Sequence, residues 1–155
     1  MNYVVKKRNP TNVIGISLDV TEPDQASYQI GEFWEKFRKE KIMEKIPNKL
    51  EPAYPMAVYS NYNANNQYTL ILGTEVVHTV NVPYDMVAIN IPAQTYGVFS
   101  IEGQLPDLIL NTWQQIWELP LKRAYTYDFE VYKKISLDTA QADIYIALKP
   151  EYEQA

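Results

Sequence analysis

The segment Asp128-Phe129-Glu130-Val131-Tyr132 places two carboxylates and an aromatic hydroxyl at alternate positions of one short run. It sits in a chain with 13 tyrosines and three tryptophans among 155 residues. Aromatic rings offer flat apolar walls, and a carboxylate among them offers one fixed negative charge. That combination suits a flat organic cation, held by stacking, cation–π attraction and an ion pair in a partly dry site. The plainer alternative is that the tyrosines fill strands and a strand glutamate points at water.

Other chemistries find few residues to use. The chain has no cysteine, which removes disulfides, thiolate nucleophiles and thiolate metal ligands together. Its one histidine, His78, has no second histidine to make a zinc site and reads as a surface residue. No glycine-rich phosphate loop, G-x-S-x-G elbow or Ser/His/Asp set is present. No cofactor and no metal are expected. The net charge of −5 argues against a nucleic-acid surface, and the short basic run Lys6-Lys7-Arg8 reads as a solvated strand end. The N-terminus shows no apolar signal region, and no apolar run nears the roughly 20 residues that span a bilayer. The expectation is a cytoplasmic protein without membrane contact. Hydrophobic and charged shares of 46% and 21% are those of a globular protein, and the length suits one domain over 1–155.

The elements that must position the acidic segment repeat once. Asn12 to Leu18 is β-branched and apolar, a strand. A helix follows from about Ser27, with Ile30, Phe33, Trp34 and Phe37 at i, i+3, i+4 and i+7, and Pro47 ends it. Strands at Met56–Tyr62 and Tyr68–Val77 flank the polar run Asn63 to Gln67. The second half gives a strand at Gln94–Phe99, with Gly97 placed like Gly15. A helix over 105–119 carries Ile109, Trp113, Ile116 and Trp117 on one stripe, and strands follow at Tyr127–Ile135 and Ala142–Lys149. Met86–Ile91 adds a strand between the halves. The fold class is α+β: two β-α-β-β units with antiparallel sheets, helices on one side and the other face left open.

With these pieces in order, the chain resembles the GyrI-like family, the effector-binding domain of AraC-type and MerR-type multidrug regulators. The resemblance runs from about Val4 to Leu148. It is carried by Val13-Ile-Gly-Ile16, Phe33-Trp34-x-x-Phe37, Tyr68 to Val76, Ile91 to Phe99, Trp113-x-x-x-Trp117-Glu-Leu-Pro120, Asp128 to Tyr132, and Asp143-Ile-Tyr-Ile146. One departure is Lys122-Arg123-Ala124, where the family tends to have small polar residues. The resemblance implies two units of the SHS2 type, related by a pseudo-two-fold, with a ligand cleft between them. It also implies that Glu130 is the acid that meets cationic ligands and that a tyrosine at Tyr145 lines the site.

The strand pattern, read alone, turns Phe129 and Val131 to the helices and Glu130 with Tyr145 to the open side. Phe33, Phe37, Phe129, Val131, Ile144 and Ile146 are the expected core. By the pseudo-symmetry Tyr59 faces the cleft, the alternative being an ordinary surface tyrosine. Trp113 and Trp117 share a helix face as core or cleft wall. Tyr96 and Phe99 stand on opposite faces, so at most one lines the pocket. Glu75 shares a strand face with Gly73 and reads as surface.

Three functions fit. The first is a stand-alone sensor or sequestering protein for amphipathic, cationic aromatic compounds. The second is a hydrolase opening strained electrophiles with Glu130 as acid or base. The third is a protein-binding module like the gyrase-inhibitor relatives. The chain starts at its first strand, so direct DNA contact would need another polypeptide.

Overall fold

The computed structural model describes residues 1–150; the last five residues of the expected domain lie outside the described residues. Eight strands form one antiparallel sheet: β1 (Val4–Arg8), β2 (Thr11–Val20), β3 (Met56–Ser60), β4 (Tyr68–Val76), β5 (Val87–Ile91), β6 (Gln94–Gln104), β7 (Asp128–Ile135) and β8 (Thr139–Leu148). The helices are α1 (Ala26–Lys39), α2 (Ile42–Lys45) and α3 (Asp107–Glu118). Among the described residues no helix is long and apolar enough to cross a membrane.

The strand order is β1-β6-β8-β7-β3-β4-β2-β5. The two β-α-β-β units meet at its centre, where β3 pairs with β7 and Ala57 lies opposite Glu130. Each unit is flanked by a strand that belongs next to the other in sequence: β1 leads into β2 but pairs with β6, and β5 leads into β6 but pairs with β2.

This exchange forces the sheet to curl. In a flat sheet, β1 and β2 would stand six spacings, or about 29 Å, apart. Yet Arg8 and Thr11 are three residues apart and can span at most about 11 Å. The sheet edges therefore approach each other, although the edge strands β1 and β5 do not pair with one another and the curl stays open. An ion pair bridges the curl, with Arg8 Nη2 2.9 Å from Glu75 Oε1 on β4.

Both sheet faces are consequently buried, which corrects the expectation of an open face. On the helix face, Phe33, Phe37 and Ile42 pack on Ile14, Ile16, Leu70 and Leu72. Trp113 and Ile116 of α3 pack there on Phe99, Ile144 and Ile146. Inside the curl, Val13, Met56, Val58, Ile71, Tyr96, Phe129 and Val131 form a second cluster. All six expected core residues are buried. The first helix is shorter than expected. It ends at Lys39 because Lys41 takes a left-handed conformation, φ 52°, and this turn returns Ile42 and Ile46 to the core.

Gly15 faces Gly73 across β2 and β4, where the backbones come too close for side chains. A Cβ at Gly15 would lie 2.2 Å from the Leu72 carbonyl oxygen, and one at Gly73 would lie 2.1 Å from that of Ile14. Gly15→Ala should cost about 3 kcal/mol, the upper end of the overpacking range. In a thermal melt that lowers Tm by about 6–12 °C. Gly31→Ala is the control. It sits in α1 with nothing within 4 Å of the new Cβ. It should raise stability by about 0.5–1 kcal/mol.

Candidate ligand-binding site

The register decides which way the acidic segment faces. Glu130 pairs with Ile144, while Phe129 pairs with Tyr145. Ile144 packs under α3, so Glu130 lies on the helix face and Tyr145 on the other. The expectation that Glu130 and Tyr145 share a pocket is therefore corrected. Tyr145 stacks on Phe129 with centroids 4.6 Å apart, inside the curl. Tyr96 is there too, packed edge-on against both rings. That side also holds a cavity of about 340 Å³ lined by Arg8, Tyr54, Glu75, Lys133 and Tyr145, and the sheet separates it from Glu130.

Glu130 sits at the sheet centre between the two main helices and is fully buried. Tyr132 Oη donates to Oε1 at 2.6 Å. Tyr59 Oη and Trp113 Nε1 both donate to Oε2, at 2.9 and 2.7 Å. The three donors come from β7, β3 and α3, so the carboxylate ties the central strands to the second helix. Aromatic rings continue around it. Trp34 of α1 meets Tyr132 edge-on at 5.2 Å, and Tyr59 lies 5.3 Å from Trp113 and 5.8 Å from Tyr68. Trp117 lies one turn beyond Trp113 at 6.5 Å and is 61% exposed. The buried cluster thus unites Glu130, Tyr59 and Trp113 with Tyr132, Trp34 and Tyr68. The strand pattern puts Tyr132 on the face of Glu130, and Trp34 belongs to the apolar stripe of its helix. Tyr68 carries no signal beyond its strand. His78 is exposed, as expected.

None of the three donors is charged. Burial raises the Glu130 carboxyl above its usual 4.5, and the hydrogen bonds from Tyr132, Trp113 and Tyr59 offset this only in part. Burial, reinforced by the neighbouring carboxylate, also pushes the Tyr59 and Tyr132 hydroxyls well up, so they stay protonated donors. The raised carboxyl has a consequence for stability. The fold favours the neutral acid, so this contribution is complete below pH 4.5 and is lost as pH rises through the raised value. Glu130→Gln should therefore melt higher than the parent at neutral pH. Melting both proteins from acid to neutral pH checks this, because the gap should close toward acid.

Asp128, two residues earlier on the same face, is treated differently. It is also fully buried, but Arg123 Nη2 lies 2.7 Å from its Oδ2. Tyr62 Oη donates to the same oxygen at 2.6 Å, and the Ala147 N–H donates to Oδ1 at 2.7 Å. Of the two buried acids, one has a guanidinium beside it and the other has only neutral donors.

The chain matches the family model of Cass2, the integron-associated effector binding protein, over residues 5–148. It belongs to that family. The GyrI-like resemblance holds at the level of this effector-binding fold. The Bacillus subtilis protein YobU, which carries the name of a transcriptional regulator, is 29% identical over 140 residues, covering 86% of this chain and 85% of its own. An integron cassette protein from the mobile metagenome of Vibrio cholerae superposes with a TM-score of 0.72 at 25% identity, covering 95% of each chain. SAV2435, solved with tetraphenylphosphonium bound, shares the fold at a TM-score of 0.83 and 14% identity, over 99% of this chain and 97% of its own.

Proposed function

We propose that this family member binds amphipathic aromatic cations over Glu130 and serves as a sensor or sequestering module for them. One observation carries the reading: a fully buried carboxylate, held by Tyr59, Trp113 and Tyr132, whose hydrogen-bond partners are all neutral. A buried charge in that state gains most from a cation that arrives with its own apolar surface. Cation–π contact with the rings adds about 0.5–2 kcal/mol. The cation-bound relative SAV2435 and the effector-binding family support the same reading.

The rings that wall the carboxylate also seal it. A ligand would enter by displacing Trp113 or Tyr59 and would stack where those rings now sit, with Trp117 at the mouth. Tyr96 and Tyr145 take no part, since the sheet lies between. The net charge of −5 makes the surface a poor match for DNA.

The test uses one flat dye as its N-methyl cation and as the uncharged parent, titrated by tryptophan fluorescence. The cation should quench saturably at micromolar concentration, and the uncharged form should bind about tenfold or more weakly, at about 1.4 kcal/mol per decade. Equal affinity for both forms would remove the role given to Glu130. The hydrolytic alternative rests on the raised carboxyl, which could hold a proton for transfer. Turnover of a strained electrophile by the parent, lost in Glu130→Gln with binding retained, would favour it.

A further inference from the structure

The departure at Arg123 sets a second polar group beside Trp113, on the side away from Glu130. Trp113 stands between the two buried acids: its Nε1 donates to Glu130, while the Arg123 Cζ lies 5.8 Å from its ring centroid. A run of rings leads the same way. Tyr59 meets Tyr68 at 5.8 Å, Tyr68 meets Tyr62 at 6.2 Å, and Tyr62 meets Tyr125 at 5.9 Å. The Arg123 Cζ lies over Tyr125 at 4.4 Å and near Tyr62 at 5.8 Å. An aromatic wall thus connects the unpaired acid to the guanidinium.

Arg123 is 9% exposed and is anchored by one ion pair to Asp128. Its Nε is buried and takes no acceptor among the described residues. A guanidinium offers five N–H donors in a rigid fork, and a buried donor without an acceptor is costly. We infer that the cleft selects cations that also carry a neutral hydrogen-bond acceptor, such as a ketone or ester, about one ring away from the charge. The acceptor meets Arg123 while the cation meets Glu130. The same guanidinium disfavours a second positive charge at that end. This inference rests on the Glu130 reading and narrows its ligand class.

Two phosphonium probes test it. (4-Acetylphenyl)triphenylphosphonium carries a ketone one ring away from phosphorus, and (4-isopropylphenyl)triphenylphosphonium has nearly the same shape without one. Both are titrated calorimetrically against the parent and Arg123→Lys, which keeps a positive charge near Asp128 but removes the fork. The parent should prefer the ketone by about tenfold, and Arg123→Lys should bring the two within about twofold. Equal affinities in the parent, a comparison that needs no variant, would overturn the inference. A preference that survives in a folded Arg123→Lys would overturn it as well. If neither cation binds the parent, the Glu130 reading fails and takes this inference with it. If both bind with an unchanged ratio, only the inference falls.

Discussion

Glu130→Gln should weaken binding of tetraphenylphosphonium by about thirtyfold or more. Removing one partner of a desolvated charge pair costs about 2–5 kcal/mol. The low end of that range is about thirtyfold. Glutamine keeps the shape of the site. Its carbonyl oxygen can accept from Tyr59 and Trp113 in place of Oε2, and its amide can donate to the Tyr132 oxygen in place of Oε1. Only the charge is lost. An uncharged ligand of similar size should therefore bind the variant within about threefold of the parent, because stacking area is unchanged. Parallel titrations of the two ligands separate charge from shape. A variant that loses both equally has lost the pocket, and one that loses neither shows that the cation does not use Glu130.

Arg123→Met should destabilise the fold by about 3–5 kcal/mol, because Asp128 would keep a buried charge without its guanidinium. That is a large part of the ~5–15 kcal/mol that holds a typical domain together. The melting point should fall by about 6–20 °C. Adding Asp128→Leu should recover part of the loss, since the stranded charge is removed with its partner, although the Ala147 N–H then loses its acceptor. A single Arg123→Met variant that melts within about 2 °C of the parent would show the pair to be dispensable.

The repeat of strand, helix and two strands was legible because its signals are local. The stripe from Ile30 to Phe37 marks α1, Pro106 and Pro120 bracket α3, and the Asn-rich run from 63 to 67 marks the β3–β4 turn. The facing of Glu130 was not legible, because β7 alternates the apolar pair Phe129 and Val131 with the polar set Asp128, Glu130 and Tyr132, and both sets are buried. A rule that sends charge to the solvent side assumes a sheet with one wet face. Here β1 and β5 are exchanged between the units, the sheet curls, and both faces are buried. That exchange is a property of strand order, which no window of sequence contains.

The expected site fared according to the same logic. Tyr59, placed by the pseudo-symmetry, reaches Glu130 because β3 and β7 meet at the two-fold. Tyr145 lies on the face away from the helices, as strand alternation requires, but Glu130 lies on the opposite one. Tyr96 fell on that face too, and Phe99 went under α3, as their opposite parity required. Arg123 and Asp128 lie five residues apart around a turn, and only the folded chain shows that the guanidinium neutralises one carboxylate and leaves the other.

The claim that an ionised Glu130 receives the cation can be read directly as proton release. A permanently charged aromatic cation should favour the ionised carboxylate, and the free protein holds that carboxyl above 4.5. Binding below the raised value should therefore expel close to one proton per site, and affinity should fall about tenfold for each pH unit further toward acid. Calorimetric titration in two buffers of different ionisation enthalpy counts that proton. The expected result is release by the parent that fades as pH rises past the raised value, with none from Glu130→Gln at any pH. Equal proton release from parent and variant, or none from either while the cation binds, would contradict the account.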